Sequence, residues 1–173
     1  MELPQILIRG LQFLWTLLIT ALIGNVIASN HNGHMAAVNF TMFVAVLSWI
    51  SVIAGLAGAL VDRVSSFIPP LIQLSLDGIA ALFSLIDGIV LAALLGAANC
   101  GASHLERHHG SGWIGWGSSD PEKRCREIQA STAFVWFLWA TVAASLAIAL
   151  LGYRRMGGSV GSSRPTMSQV HGV

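Results

Sequence analysis

Two carboxyl groups in an otherwise apolar stretch are the first side chains in this sequence that could do chemistry. Asp77 and Asp87 lie there with Gln73 and Ser84, and at 100° per residue all four fall on about one face of a helix. A carboxylate inside a bilayer is costly and normally faces a bundle interior or a water-filled path. The stripe therefore indicates either a proton or ion pathway or a buried polar contact that fixes helix orientation, and we expect the second.

A basic partner for this stripe is present near the start of the chain. Arg9 and Gln12 lie at the beginning of the first apolar stretch and should reach Asp77, whereas Asp87 lies further along, past the middle of its stretch. The other apolar stretches carry no second acidic or basic stripe that would complete a proton relay. We therefore expect Asp77 and Asp87 to serve structure and not transport.

The two cysteines, Cys100 and Cys125, are candidates for a disulfide. Both lie in the third connection between apolar stretches, each close to the end of one. Helix ends can bring two cysteines within the few ångströms that a disulfide needs, and such bonds persist in oxidising compartments. A disulfide here would staple the loop 101–124 outside the cell. The alternatives are two free thiols, or an S-acylated Cys100 on the cytoplasmic side.

The histidines invite a metal site, but their pattern is weak. His104 and His108 have the i, i+4 spacing of a chelating pair, and His109, His31 and His34 are predicted on the same side of the membrane. Flanking glycines and the lack of an anchoring third ligand favour a solvated loop instead. No nucleophile–base pair, phosphate loop or cofactor motif is found in the sequence. We expect no enzyme activity, no metal and no cofactor, apart from a bound lipid or sterol.

These residues must be positioned by four long apolar stretches that use up most of the chain. Hydrophobic residues make up 54% and charged residues 10%, against roughly 25% charged in a soluble domain. A helix needs about 20 apolar residues to cross a bilayer, and spans are predicted at about 8–29, 37–61, 68–98 and 129–152. We predict an all-α integral membrane domain over residues 1–155 with up-down-up-down topology, followed by a disordered cytoplasmic tail at 156–173.

Charge gives the orientation of these spans and limits the partners. An even number of spans places both termini on one side, and basic residues favour the cytoplasm. The side with the termini has Arg9, Arg63, Arg154, Arg155 and Arg164, against Arg107, Lys123, Arg124 and Arg126 on the other. We expect cytoplasmic termini, with Arg154 and Arg155 near lipid headgroups. The net charge of +1 gives no case for nucleic-acid binding.

Small residues recur at about four-residue spacing and predict close helix packing. Such stripes let helix backbones approach each other in lipid, either within one bundle or between chains. We expect a homo-oligomer, which Gly55→Leu should disperse without unfolding the bundle. The helix-packing residues are Ser51, Gly55, Gly58 and Ala59 in the second span, and Gly88, Ala92 and Gly96 in the third.

Several segments resemble the fungal non-classical export family of MARVEL-domain tetraspans, and together they cover nearly the whole chain. Claudins fit worse, because their cysteine pair lies in a long first outer loop. The matching segments are Val38-Asn39-Phe40, Met42-Phe43, Leu76-Asp77, Cys100, Arg124-Cys125-Arg126, Gln129-Ala130, Ala133-Phe134, Pro165-Thr166 and Ser168-Gln169-Val170.

The resemblance implies a four-transmembrane-helix MARVEL-like bundle in eisosomes, the furrow-like compartments of the fungal plasma membrane. Members of the family organise membrane domains, respond to sphingolipid status and act with BAR-domain coat proteins on the cytoplasmic side. A membrane-organising protein is accordingly our first hypothesis. The alternatives are a small transporter or channel using Asp77 and Asp87, and an unconventional secretion factor, with an intramembrane enzyme last.

Overall fold

Four long helices form the structure, a computed structural model that describes residues 2–31, 35–60, 70–96, 100 and 113–157. They are α1 (Glu2–Ala28), α2 (Ala36–Leu60), α3 (Pro70–Leu95) and α4 (Pro121–Gly157). All four are long and apolar enough to cross a membrane. The predicted all-helical bundle with four membrane spans is therefore confirmed.

The helix boundaries follow local chemistry. Pro70 opens α3, where its missing N–H would be unpaired anyway. Gly96 ends α3 with a φ of +67°, a left-handed conformation that glycine adopts at low cost. At the start of α4, Asp120 accepts a hydrogen bond at its Oδ1 from the backbone N–H of Lys123, 3.1 Å away.

The fourth helix begins earlier and ends later than the predicted span of 129–152. It runs from Pro121 to Gly157, so its first two turns are charged. The cap at Asp120 and an ion pair between Arg126 and Glu122, one turn apart, stabilise these turns. Residues 156–157 of the predicted tail continue the helix, while 158–173 and their predicted disorder lie outside the described residues.

The helices are arranged as a ring in which each packs against two neighbours. α1 contacts α2 and α4, and α3 contacts the same two helices from the opposite side. Consecutive helices alternate in direction, which gives the up-down-up-down topology. We call the end of the bundle that holds the described residues 26–31, 35–39, 95–96, 100 and 113–125 the disulfide end, and the end where α1 begins and α4 finishes the termini end.

The bundle is apolar outside as well as inside. Ile23, Val44, Leu91 and Leu138 are almost fully buried at the centre. Lipid tails are as apolar as these core side chains, so large hydrophobic groups facing outward are expected of a membrane bundle. The exposed ones include Leu17, Phe43, Ile50, Ile53, Leu71, Leu82, Ile89, Phe137 and Leu151.

Candidate functional site

A buried ion pair lies inside the bundle towards the termini end. Arg9 donates from Nη1 to Asp77 Oδ1 at 2.8 Å and from Nη2 to Asp77 Oδ2, a bidentate contact. Each of the two side chains is 3% exposed. Because Arg9 is on α1 and Asp77 is on α3, the pair joins the two helices that lie diagonally across the ring. The predicted contact between Arg9 and Asp77 is therefore present.

The other two helices also reach Asp77. Ser51 of α2 donates to its Oδ1 at 2.5 Å, and Ser145 of α4 donates to its Oδ2 at 3.3 Å. Gln73, one turn earlier on α3, donates to Oδ1 at 3.0 Å. The carboxylate of Asp77 on α3 is thus bound by side chains from α1, α2 and α4, and these contacts fix the rotation of the four helices relative to one another.

Gln12 completes this network from the side of Arg9. Its Oε1 accepts a hydrogen bond from Arg9 Nη1 at 3.0 Å, and its Nε2 donates to the backbone carbonyl of Thr141 at 3.1 Å. A buried ion pair is tolerated only when further hydrogen bonds satisfy its remaining polar atoms. We call Arg9, Gln12, Ser51, Gln73, Asp77 and Ser145 the central polar network.

Gly55 provides the space that Arg9 occupies. A Cβ atom built on Gly55 would lie 2.5 Å from Arg9 Nε and 2.7 Å from its Cζ. Gly88 likewise faces the indole of Trp136, with a built Cβ at 3.1 Å. Both glycines therefore pack against side chains of their own chain.

This placement corrects the expectation that Gly55→Leu would leave the bundle folded. The leucine would enter the volume of a buried arginine and not a contact with a second chain. Among the predicted helix-packing residues, the outward ones are Ala59 and Ala92, which are exposed, and Gly58 and Gly96, which have no atom within 4 Å of a built Cβ.

Asp87 is separate from the central polar network. Its Oδ1 accepts a hydrogen bond from Thr41 Oγ1 at 2.8 Å, while its Oδ2 is buried and has no partner among the described residues. Ser84, between the two acids, donates to the backbone carbonyl of Ala80 at 2.7 Å and so does not link them. The predicted stripe therefore divides into two separate sites: the Arg9–Asp77 ion pair, and the carboxyl group of Asp87. Thr41, which binds Asp87, was not predicted from the sequence pattern.

At the disulfide end, Cys100 and Cys125 form a disulfide with their Cα atoms 5.7 Å apart. This is the pairing predicted from the sequence. Trp113 packs against the apolar core and donates from Nε1 to the carbonyl of Leu95 at 3.3 Å. His31 is exposed, whereas the other outer-loop histidines, His34, His104, His108 and His109, lie outside the described residues.

Arg124 is buried beside the disulfide, with 2% of its surface exposed. Its Nε donates to the carbonyl of Ile114 at 2.9 Å, and its Nη1 donates to the carbonyl of Val26 at 3.2 Å and to Asn30 Oδ1 at 3.3 Å. Val26 lies in the last turn of α1, where carbonyls lack partners within the helix and carry partial negative charge. Arg124 thus holds the end of α1 against α4, a role that hydropathy did not indicate.

The basic residues expected at lipid headgroups lie in the last turns of α4. Arg154 is exposed, and Arg155 follows it within the same helix. The structure describes the backbone of Arg155 and not its side chain.

We predict that mass spectrometry of the protein digested without reduction recovers a linked peptide pair containing Cys100 and Cys125. Replacing both cysteines by serine should lower the free energy of unfolding by about 2–4 kcal/mol, as is typical of lost disulfides. Alkylation of free thiols in the untreated, folded protein would contradict the bond.

Sequence comparisons agree with this architecture. The model of the MARVEL family, described as a membrane-associating domain, matches residues 2–148. Non-classical export protein 2 of Saccharomyces cerevisiae is 28% identical over 178 residues, which cover 95% of this chain and 96% of the yeast protein. No solved structure matches the chain significantly. With a family match over all four membrane-crossing segments, the chain belongs to the MARVEL family of multi-pass membrane proteins.

Proposed function

We propose that this protein is a plasma-membrane tetraspan that organises membrane microdomains by lateral self-association and lipid contacts. In this proposal its termini are cytoplasmic and the disulfide end is extracellular. The compartment would be of the eisosome type and linked to the sphingolipid response, with BAR-domain coat proteins as cytoplasmic partners. These finer assignments rest on the resemblance to the non-classical export family.

The observation that carries the proposal is the direction in which the side chains face. Most polar side chains inside the spans are buried, among them the central polar network and Asp87 with Thr41, while large apolar groups cover the outside. Most of the surface available for action is therefore the one that meets lipid and neighbouring proteins in the membrane. Within the described ranges, no three His, Cys, Asp or Glu side chains are grouped as metal ligands.

Small outward residues supply sites for close contact between chains. Ala92 and Ala59 are exposed on α3 and α2, and Gly58 leaves open space at its Cα. In lipid, small side chains let helix backbones approach each other, and this packing is a main source of association. The termini end adds Arg154, and a basic residue near an anionic leaflet contributes about 1 kcal/mol.

We predict that the protein is oligomeric when released from its native membrane in polymer-bounded lipid discs. Ala92→Leu should reduce the oligomer fraction, because it separates the helix backbones while leaving the bundle interior unchanged. Ala21→Leu, at an exposed alanine on α1, is the matched control and should have little effect. Particle mass measured by single-molecule photobleaching or light scattering gives the readout, and a strictly monomeric wild type would refute the proposal.

A transporter or channel is the second candidate, and one observation favours it. The buried Oδ2 of Asp87 has no partner in the described part of the chain, as expected of a group that exchanges a proton or an ion. Against this candidate, Asp77 is bound to Arg9 and no hydrogen bond between described residues connects it to Asp87.

We predict that vesicles reconstituted with the wild-type protein show no pH-driven flux above protein-free vesicles. A trapped pH-sensitive dye provides the measurement, with Asp87→Asn as the matched variant. A flux in the wild type that is lost in Asp87→Asn would place transport above membrane organisation.

A further inference from the structure

We infer that the cavity beside Arg124 binds the phosphate group of a membrane lipid at the disulfide end of the bundle. This inference deepens the lipid contacts of the proposed function by naming a site and a headgroup chemistry. It rests on the charge of Arg124, on the hydrogen bonds already made by its guanidinium, and on the walls of the cavity.

Arg124 brings a positive charge into the protein without a carboxylate in contact with it. None of the described acidic residues forms an ion pair with it; the ion pairs of this region join Lys123 to Glu127 and Arg126 to Glu122. Glu127 lies one turn away and its negative charge partly compensates Arg124, but its carboxylate forms no ion pair with the guanidinium and accepts a hydrogen bond from Asn25 at 2.6 Å. A buried cation is stable only with compensating groups, and an anion in the adjacent cavity would add a negative group in direct contact with the guanidinium.

Only some of the guanidinium nitrogens of Arg124 are needed to hold the end of α1. Nε and Nη1 hold Ile114, Val26 and Asn30, whereas Nη2 faces the thioether sulfur of Met35 at 3.2 Å. Sulfur is a weak acceptor and the methionine side chain adapts easily. Nη2 can therefore donate to a phosphate oxygen if Met35 moves aside, while the other nitrogens keep the end of α1 in place.

The cavity next to Arg124 has a volume of about 260 Å³ and walls of two kinds. Arg124 and Asn39 supply hydrogen-bond donors, and a guanidinium with an amide N–H suits phosphate oxygens, while Asn30 lines the same side and accepts a hydrogen bond from Arg124. The remaining walls are apolar and suit the carbon atoms that follow a lipid phosphate. They are formed by Val26, Ile27, Met35 and Val38.

The position of the cavity favours a lipid over a soluble phosphate. It lies between the last turn of α1 and the first turn of α2, and we expect the ends of these membrane-crossing helices to lie near the lipid headgroups. Ile27 is 38% exposed and Asn39 is also exposed, so the rim of the cavity reaches the lipid-facing surface. A headgroup can enter there while its acyl chains stay beside α1 and α2.

The test measures thermal unfolding of the full-length protein in a neutral detergent with three additives. They are phosphatidylglycerol, diacylglycerol with the same chains but no phosphate, and inorganic phosphate. A ligand that binds the folded state raises the unfolding midpoint with its concentration. We expect phosphatidylglycerol to raise the midpoint and the other two to have little effect at equal concentration.

Arg124→Gln should weaken the response to phosphatidylglycerol by about tenfold or more, since it removes a charge-assisted hydrogen bond. Arg126→Gln is the matched control: it removes an exposed arginine two residues away and should respond like the wild type. Asn39→Leu fills the rim of the cavity and removes an exposed amide. This variant should also weaken the binding of phosphatidylglycerol, and it tests the inference if Arg124→Gln does not fold.

Each of the following results would overturn the inference. An equal response to diacylglycerol would show that acyl chains alone are bound, and an equal response to inorganic phosphate would remove the lipid. An unchanged response in both Arg124→Gln and Asn39→Leu would place any phosphate site elsewhere. Oligomer mass is measured separately, so an oligomer without phosphatidylglycerol binding would refute this site and leave the proposed function standing.

Discussion

Replacing Asp77 with asparagine should lower the free energy of unfolding by about 3–5 kcal/mol, because Arg9 would keep its charge without a buried counter-ion. The asparagine preserves the shape and can still accept hydrogen bonds from Ser51 and Gln73. The loss therefore reports the charge of Asp77 and not its volume. Reversible unfolding in mixed micelles, followed by circular dichroism, provides the measurement.

The double variant Arg9→Met, Asp77→Leu should recover most of this loss. Apolar side chains of similar size can replace a buried ion pair at little cost, whereas removing one partner is strongly destabilising. A double-mutant cycle then isolates the coupling between the two residues. Asp87→Asn is the control on the same helix, since it removes a buried carboxyl group that has Thr41 and no described cation as partner.

Equal losses in Asp77→Asn and Asp87→Asn would contradict a special role for the Arg9–Asp77 pair. An Arg9→Met, Asp77→Leu protein that is no more stable than Asp77→Asn would contradict this role as well. Both results would show that the bundle depends on buried polarity in general and not on this ion pair.

The contact between Arg9 and Asp77 was predictable because charge is rare in a membrane sequence. An acidic residue in an apolar helix needs a partner, and the antiparallel topology leaves Arg9 and Gln12 near the right depth. The disulfide was predictable for a similar reason, since the chain has only two cysteines and both flank one connection. Both predictions were possible because few residues in the sequence could pair with Asp77 or form a disulfide.

The role of Arg124 and the start of α4 were not predictable from hydropathy. Hydropathy measures the transfer of side chains into lipid and carries no information on caps or on interhelical hydrogen bonds. Residues 121–127 are mostly charged or polar, yet they are helical because Asp120 caps them and because Arg124 binds the end of α1. Thr41, Ser51 and Ser145 were missed as carboxylate partners because hydroxyl side chains are common on membrane helices and commonly bond their own backbone.

The sequence pattern also could not predict which small residues face the bundle interior and which face lipid. In a soluble helix the polar face identifies the outside, but α2 is apolar on nearly all sides. Gly55 and Ala59 are one turn apart, yet Gly55 lies against Arg9 while Ala59 is exposed. Only the packed bundle distinguishes a glycine that makes room for a side chain from a small residue that faces lipid.

Gly55→Leu should lower the free energy of unfolding by about 3–5 kcal/mol, because the new side chain displaces Arg9 and leaves Asp77 unpaired. Gly55→Ala should show the same effect more weakly, with a loss of about 1–3 kcal/mol from overpacking. A built Cβ already lies 2.5 Å from Arg9 Nε, and Arg9 is held in place by both Asp77 and Gln12. Unfolding in mixed micelles measures both variants.

Gly58→Ala is the matched control, three residues further along the same helix. No atom lies within 4 Å of a Cβ built at Gly58, so the alanine gains helix propensity of about 1 kcal/mol without a clash. The two glycine-to-alanine changes should therefore shift the free energy of unfolding in opposite directions.

In the background of Arg9→Met and Asp77→Leu, the loss of stability caused by Gly55→Ala should shrink, because the methionine is not held by an ion pair and can move aside. An equal cost in both backgrounds would mean that Gly55 serves the helix backbone and not the space for Arg9.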